Sequence, residues 1–379
     1  MAGNLRDRLQ RIQLVKNNNA PVKNRGQVVL QGWSNAGYMT LRREITSDSF
    51  FALPKVMPEA AHIVMPGINS LTGYGDLLFF DLETTGLSGG AGTVAFLAAF
   101  GRLVYCDSTE QAARYKLCIT QYLLLDYPGE SDFINALAVE FSGNNCTMVS
   151  YNGKCFDSQI LNTRCLMNGL HPPEYRHADL LHPARRLWKR HLENCSQACV
   201  ETQILGIDRE GDIPGSMAPD IWFAFLRDGE TAPLMGICEH NRRDIEGLAR
   251  IFSLMAQIAE KPLKARGKYL FDLEALSMRY ALILRRAGKR AEARTWLLQA
   301  AGGDSPGEMA GYSPIRVAAL RALAIDSERR LKNNAEALAL AEQALRLLPP
   351  DSHQQAEFMH RTERLRKKRL GLTTREWSD

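Results

Sequence analysis

The sequence predicts an α/β domain built round one mixed sheet, followed by an all-α domain of helical repeats. Three observations predict this. Short apolar, β-prone runs follow one another from Leu77 to Leu125; strand-like and helix-like segments then alternate as far as Ile258; and beyond Lys261-Pro262 the chain is almost wholly Ala, Leu, Arg, Glu and Gln, with no strand signal. At 379 residues the chain is long enough for two such units.

Residues 1–75 carry many turn-forming residues, among them Asn17 to Asn19, Pro21, Gly26, Pro54, Pro58 and Pro66, and predict an irregular basic lead-in. Up to Glu44 it holds eight Lys/Arg against Asp7 and Glu44, which reads first as a solvated tail and second as a basic arm near nucleic acid. The α/β domain is expected over residues 76–260. Leu77 to Leu82, Thr93 to Cys106 and Arg114 to Leu125 read as strands, separated by breaks short enough for hairpins. A helix is predicted over Glu130 to Phe141 and a strand over Cys146 to Asn152. A second helix follows from Phe156, where Ile160, Leu161 and Cys165 share a face and Gly169 stops it. Arg176 to Leu181 reads as a short strand; Glu193 to Leu205, Ala218 to Leu226 and Pro233 to Ile258 read as helices. In the domain expected over residues 268–379, Arg285-Arg286 and Ala291-Glu292-Ala293 recur 44 residues later as Arg329-Arg330 and Ala335-Glu336-Ala337. Each copy is a helix, a turn and a second helix with small residues at its packing positions, similar to tetratricopeptide arrays. Arg361 to Leu370 ends the chain's periodic part as a basic helix, solvated and capping, or a frayed tail.

The net charge of +5 is too mild to name a partner. Eight cysteines without a C-x-x-C pair argue for buried thiols in a reducing compartment, against a disulfide framework or structural zinc site. The start, MAGNLRDRLQRIQLVK, has no signal-peptide apolar core, and no run approaches the ~20 apolar residues of a membrane span. A cytoplasmic protein without a membrane partner is expected.

The most informative residues close the first long apolar run, in Asp81-Leu82-Glu83-Thr84-Thr85-Gly86. On a strand Asp81 and Glu83 project to one side. Two carboxylates side by side repel unless a cation sits between them, and a hard divalent ion takes oxygen ligands. Asp157, in Asn152-Gly153-Lys154-Cys155-Phe156-Asp157, stands where a strand gives way to a helix. His240 and Asp244, four apart, share a face of the long last helix. Singly, each reads as a capping acid or a surface pair. Together, four acids and one His are what in-line phosphodiester hydrolysis by two metal ions requires, with carboxylates holding Mg²⁺ or Mn²⁺ ~3.5–4 Å apart. A His of pKa ~6.5 is a fitting general base near neutral pH.

Asp81-x-Glu83, Asn152-x-x-x-Phe156-Asp157 and His240-x-x-x-Asp244 resemble the three motifs of the DEDD superfamily, proofreading-type 3′-5′ exonucleases on a ribonuclease H-like fold. The strings Phe80 to Thr93, Asp179 to Trp188, Asp212-Ile213-Pro214-Gly215 and Glu239 to Asp244 resemble its bacterial YprB-like branch, whose members often carry helical repeats after the nuclease domain. The resemblance implies Asp81, Glu83, Asp157 and Asp244 as metal ligands and His240 as base. In the better-known branches the base is a His five residues before the last Asp or a Tyr four before it. A His at the four-residue spacing approaches from an angle rotated by ~100°, so Tyr151 and a relayed water stand as substitutes.

Ser88 to Thr93 lacks the Lys of a nucleotide-binding P-loop and fits a close-approach loop beside the scissile nucleotide. Asp179 reads as an outer carboxylate or a helix cap. Arg185, Arg186, Lys189 and Arg190 around Trp188 suggest a single-strand contact by phosphate pairing and base stacking, unless Trp188 is core. Thr84, Gly86, Asn152, Phe156 and Arg243 complete the expected substrate contacts. The function expected is a 3′-5′ exonuclease acting on the 3′ end of a single-stranded nucleic acid, with the repeats free to meet a protein partner. A nuclease-like nucleic-acid scaffold and a ribonuclease H-like endonuclease are the competing readings.

Overall fold

The structure, a computed structural model, describes residues 28–69, 71–86, 92–110, 112–142, 145–190, 192–260, 273–302, 312–350 and 352–370. Eight strands form one mixed sheet: β1 (Ser34–Gly37), β2 (Thr40–Thr46), β3 (Phe51–Leu53), β4 (Leu77–Thr84), β5 (Ala95–Ser108), β6 (Ala113–Leu124), β7 (Thr147–Ser150) and β8 (Arg176–Asp179). Their order is β1-β2-β6-β5-β4-β7-β8, with β3 also against β6. The pairs from β1 to β4 are antiparallel, while β4, β7 and β8 run parallel. Parallel strands demand crossover connections, and helices α2 (Glu130–Glu140) and α3 (Asp157–Met167) supply them. A short helix α1 (Ala61–Val64) precedes β4.

The expected strands and helices lie where the sequence puts them, to within about two residues at most ends. Residues 28–75 are a correction. They carry β1 to β3 rather than an irregular lead-in, and β2 pairs with β6 along its whole length. The signal was hidden because Thr40-Leu41-Arg42-Arg43-Glu44-Ile45-Thr46 carries three charges, which an interior strand of the sheet accommodates only by pairing them. Arg43 donates to Gln121 Oε1 at 2.6 Å and lies 4.8 Å over the Trp33 ring. Residues 1–27 lie outside the described chain.

The sheet buries both faces. Helix α7 (Ala232–Glu260) crosses one face, where Phe79 and Phe252 meet edge to face at 5.6 Å. It sits close because Gly101 of β5 has no side chain: a Cβ there would stand 2.6 Å from Ile245 Cγ2. On the other face Leu78, Phe80, Phe96 and Phe100 pack with Phe133, Trp222 and Phe225, the last two from α6 (Ala218–Asp228). Between β8 and α6 the chain forms α4 (Leu181–Trp188) and α5 (Gln197–Val200), the latter running on into a wide turn to Leu205.

The remainder is helical: α8 (Leu273–Arg286), α9 (Arg290–Ala300), α10 (Pro314–Arg329), α11 (Asn334–Leu347) and α12 (His353–Arg369). α8 packs on α9, α10 on α11, and α11 on α12. Each expected turn takes its shape from left-handed residues, Gly288 (φ 81°) in one and Lys332 (φ 56°) in the other. One apolar core joins the two halves: Leu187, Trp188 and Phe252 share a cluster with Leu276, Tyr280 and Trp296. Among the described residues no helix is long and apolar enough to cross a membrane, and all eight cysteines are free thiols.

Candidate active site

Asp81 and Glu83 lie on the same face of β4 as Leu77 and Phe79, the face that α7 covers. The apolar pair buries the start of that face, and the carboxylates occupy its C-terminal end. Asp244, His240 and Asn241 descend on them from α7. Asp157 arrives as the first residue of α3, so the four expected acids converge from three elements.

Register explains how Asp81 is held. Across the sheet Asp81 stands beside Ala99 of β5, Ala99 beside Gln121 of β6, and Gln121 beside Arg43 of β2. Ala99 leaves room in the middle of this row, and the buried Asn241 fills it. Asn241 Nδ2 donates to Asp81 Oδ2 at 2.7 Å, while Gln121 Nε2 donates to Asn241 Oδ1 and to the Cys238 carbonyl, both at 2.8 Å. Every buried polar group of the relay has a partner, as a fixed polar network in a low-dielectric interior demands.

Asp157 is placed by a turn. Asn152 takes a left-handed φ of 67°, and a Cβ on Gly153 would stand 2.6 Å from Ser150 Oγ and 2.8 Å from Asp157 Oδ2. Asp179 clamps this turn by accepting from the backbone N–H of Asn152 (2.8 Å), Lys154 (3.1 Å) and Leu181 (3.0 Å). It thus ties the first backbone N–H of α4 to the loop that delivers Asp157, although the N-cap position of α4 is Leu180.

His240 lies at the acid cluster. Its Nε2 is 3.2 Å from Asp244 Oδ2 and 4.0 Å from Glu83 Oε1, and its Nδ1 meets Asp212 Oδ2 at 2.9 Å. Asp212 opens the Asp-Ile-Pro-Gly string, whose role the sequence left open. The string closes on α7 because that helix carries Gly236, where a Cβ would stand 2.2 Å from Ile213 Cδ1, while one on Gly215 would stand 2.9 Å from His240 Nε2. Arg209 bridges the same residues, pairing with Asp244 Oδ1 and Glu201 Oε2 at 2.5 Å each and with Asp212 at 3.3 Å. Glu201 is buried against Gly247, where a Cβ would come within 1.7 Å of its carboxylate.

Burial, then the charges of Asp244, Asp157 and Glu83, pushes Asp81 well above the usual carboxylate range, opposed by the Asn241 hydrogen bond. Burial and the charges of Asp244 and Asp157 do the same to Glu83. Burial, with Asp179 and Asp244, brings Asp157 up to about 7. Crowded acids of this kind fit a cation: Glu83, His240 and Asp244 carry donor atoms within 4.8 Å of one another, and the carboxylate oxygens suit Mg²⁺ or Mn²⁺.

The remaining expected residues divide. Phe156 is half-buried against the apolar core below the Asp157 turn, and Asn152 is exposed beside it. Thr84 donates to the Gly86 carbonyl at 3.0 Å, and Thr85 with Val94 closes the base of the Gly-rich loop, whose residues 87–91 lie outside the described chain. Arg243 flanks Asp212 at 4.0 Å and pairs with Glu239. Arg185 and Arg186 are exposed on α4 and make no contact with the acids. Trp188 is 1% exposed and core, so it offers no stacking face. Tyr151 donates to the Cys195 carbonyl at 2.7 Å, and burial raises its hydroxyl far above neutrality, so it is not placed to serve as a base.

In comparison with known proteins, 185 residues are 38% identical to an uncharacterized protein, YprB, of Bacillus subtilis (strain 168), a match over 48% of this chain and 42% of that protein. The chain thus matches less than half the length of that curated relative. Residues 78–256 match the model of the RNase_H superfamily, and with the sheet and its flanking helices in place, this half of the chain has a ribonuclease H-like fold.

Proposed function

We propose that the chain is a metal-dependent 3′-5′ exonuclease that hydrolyses phosphodiester bonds at the end of a single-stranded nucleic acid. The observation that carries the reading is the convergence of Asp81, Glu83, Asp157 and Asp244 with His240 at one end of the sheet. Asp81, Glu83, Asp157 and Asp244 would hold two divalent ions. Bound there, such ions neutralise charge on the phosphoryl and leaving oxygens and ease formation of hydroxide from water. Asp212 holds Nδ1 of His240 as a donor, which leaves Nε2 facing Glu83 and Asp244 to accept the proton of the attacking water. Asn152, Phe156, Thr84 and Gly86 would line the approach and position the terminal nucleotide. The three-motif spacing favours an exonuclease over an endonuclease of the same fold.

The test is degradation of 5′-labelled single-stranded RNA and DNA with Mn²⁺ or Mg²⁺, wild type beside Asp81→Asn. A ladder shortening from the 3′ end, in the wild type alone, is expected. Cutting of a circular single strand, or no hydrolysis under either ion, overturns the reading.

A second reading of His240 rests on the 4.8 Å grouping: Nε2 could itself be a metal ligand, with Asp212 orienting the ring. His240→Ala separates the two, since loss of a base slows turnover at unchanged metal affinity, whereas loss of a ligand weakens metal binding tenfold or more.

A further inference from the structure

A second cluster of charge lies away from the acids, where the two halves of the chain meet. α4 leaves the end of β8 immediately after Asp179, at the same end of the sheet as the acidic centre. Its outer face carries Arg185 and Arg186, and the turn that follows it carries Lys189 and Arg190, all exposed. Facing them, α8 presents Arg279, Leu282, Ile283 and Arg286, spaced to lie on one side of the helix. These two faces are the walls of one groove.

None of the six cations makes an ion pair with a described carboxylate. Several arginines elsewhere in the helical half do pair with acids, Arg294 with Glu336 and Asp326, Arg316 with Glu274, Arg330 with Asp326. Nor is the crowding a matter of loose side chains. Leu187 and Trp188 on the inner side of α4 share a core with Leu276, Tyr280 and Leu284 on the inner side of α8, so packing holds the two basic faces together. The Arg279 guanidinium is disfavoured by burial and then by Arg190 and Arg286. Six like charges held across a packed junction call for a polyanion. The lining has aliphatic Leu282 and Ile283 between the cations and no aromatic ring, which suits a phosphate backbone and gives no means of stacking or reading bases.

We propose that this groove binds the phosphate backbone of the single strand whose end reaches the acidic centre, so that the helical half forms part of the nucleic-acid site. The identity of the strand as substrate rests on the function proposed above; the binding itself does not. Contacts made only to phosphate predict sequence-independent binding that weakens steeply with salt.

The experiment is fluorescence anisotropy of the full chain with labelled 20-nucleotide DNA and RNA single strands, in EDTA, from 0.05 to 0.5 M KCl. Arg279→Gln/Arg286→Gln is expected to lower affinity on the order of 20-fold at 0.1 M salt and to flatten the plot of log K against log salt by about 1.4, at about 0.7 per phosphate contact on a single strand. Arg279→Lys/Arg286→Lys, which keeps the charge, is expected to restore most of the binding, and matching circular dichroism checks the fold. Wild-type affinity and slope in the Gln variant overturn the proposal. So does binding of phosphatidylserine vesicles without binding of either oligonucleotide. If strand binding falls in the Gln variant while the wild type hydrolyses nothing, the groove stands and the exonuclease reading fails. If strands are degraded but the Gln variant binds them as the wild type does, the groove fails and the exonuclease reading stands.

Discussion

The acidic centre and the basic groove are both crowds of like charge, and the chain builds them in opposite ways. The acids are enclosed, drawn from three elements, and three of them are tied to a scaffold: Asp81 to Asn241 and Gln121, Asp157 to the turn that Asp179 clamps, and Asp244 to Arg209. The cations stand mostly in solvent on two helix faces and have no described scaffold beyond the apolar core behind them. Burial makes the difference. In the interior a like-charge contact shifts protonation by units and must be over-determined to persist, whereas exposed charges are screened within about 10 Å at 0.1 M salt. A cluster of the first kind suits chemistry on one bond; the second suits reversible grip on a long anion.

The sharpest way to break the comparison is Asp81→Asn. The amide keeps an acceptor for Asn241 but removes a charge from the centre. Loss of several kcal/mol of transition-state stabilisation, at about tenfold per 1.4 kcal/mol, predicts a fall in metal-dependent turnover on the order of 10³-fold. The same change relieves repulsion, so the melting temperature of the metal-stripped protein is expected to rise. A variant that loses activity by unfolding would show the reverse in calorimetry.

Next in size is Asp212→Asn. Removing the carboxylate that fixes the His240 ring is expected to reduce turnover about 10- to 100-fold, the usual cost of losing such an orienting partner. Single-strand binding measured in EDTA should not change, because the groove lies apart from the His240–Asp212 pair. A parallel loss of both would mean that the two regions are not separable.

Asp81 and Glu83 were legible because a strand's two-residue period makes them neighbours, and His240 with Asp244 because a helix makes residues four apart share a face. What could not be read is whatever depends on chain-distant partners. Asn241 sits in plain view between His240 and Asp244, yet its partner Asp81 is 160 residues away, and the Arg43–Gln121 part of the row depends on strand register. Asp212 stood in a quoted motif without a role, since only the closure of its loop on Gly236 and His240 gives it one. The β1 to β3 region was hidden by its charges, and the α8 wall of the groove because repeats display so many exposed arginines.

A pH series sharpens the contrast further. Asp157 rises from an ordinary value near 3.8 to about 7 in the folded, metal-free protein. The folded state therefore binds more protons than the unfolded one between those values, and stability falls as pH rises from about 4 to about 7. Urea titrations in EDTA at pH 5 and pH 8 should show the lower midpoint at pH 8, and Mg²⁺ or Mn²⁺ should restore it most at pH 8, where the carboxylates are free to bind it. A midpoint unchanged over that range would remove the crowding on which the reading of the acidic centre depends.

The smallest effect is expected where opposite charges meet. The C-terminal basic helix α12 is docked rather than frayed, with Phe358 and Leu365 buried, and its Arg364, Lys368 and Arg361 surround Glu328 of α10. The Arg364 hydrogen bond, opposed by burial and assisted by Lys368, brings the Glu328 carboxyl down to about 2. The sign is the mirror of the acidic centre. This group contributes stability above about pH 4.5 and loses it as pH falls toward 2. Glu328→Gln should therefore cost on the order of 1 kcal/mol at pH 7, discounted to that size because two of its partners reach well into solvent. The difference from wild type should close on acidification from about pH 4.5 toward 2, below the range over which Asp157 alters the stability of the metal-free acidic centre. Because α12 packs with α10 and α11 in a small apolar cluster separate from the core beside the groove, the loss should show first as faster amide exchange in α12, with single-strand binding at the groove unchanged. Exchange that rises equally across α8 and α4 would instead mean that the helical half and the sheet open as one unit.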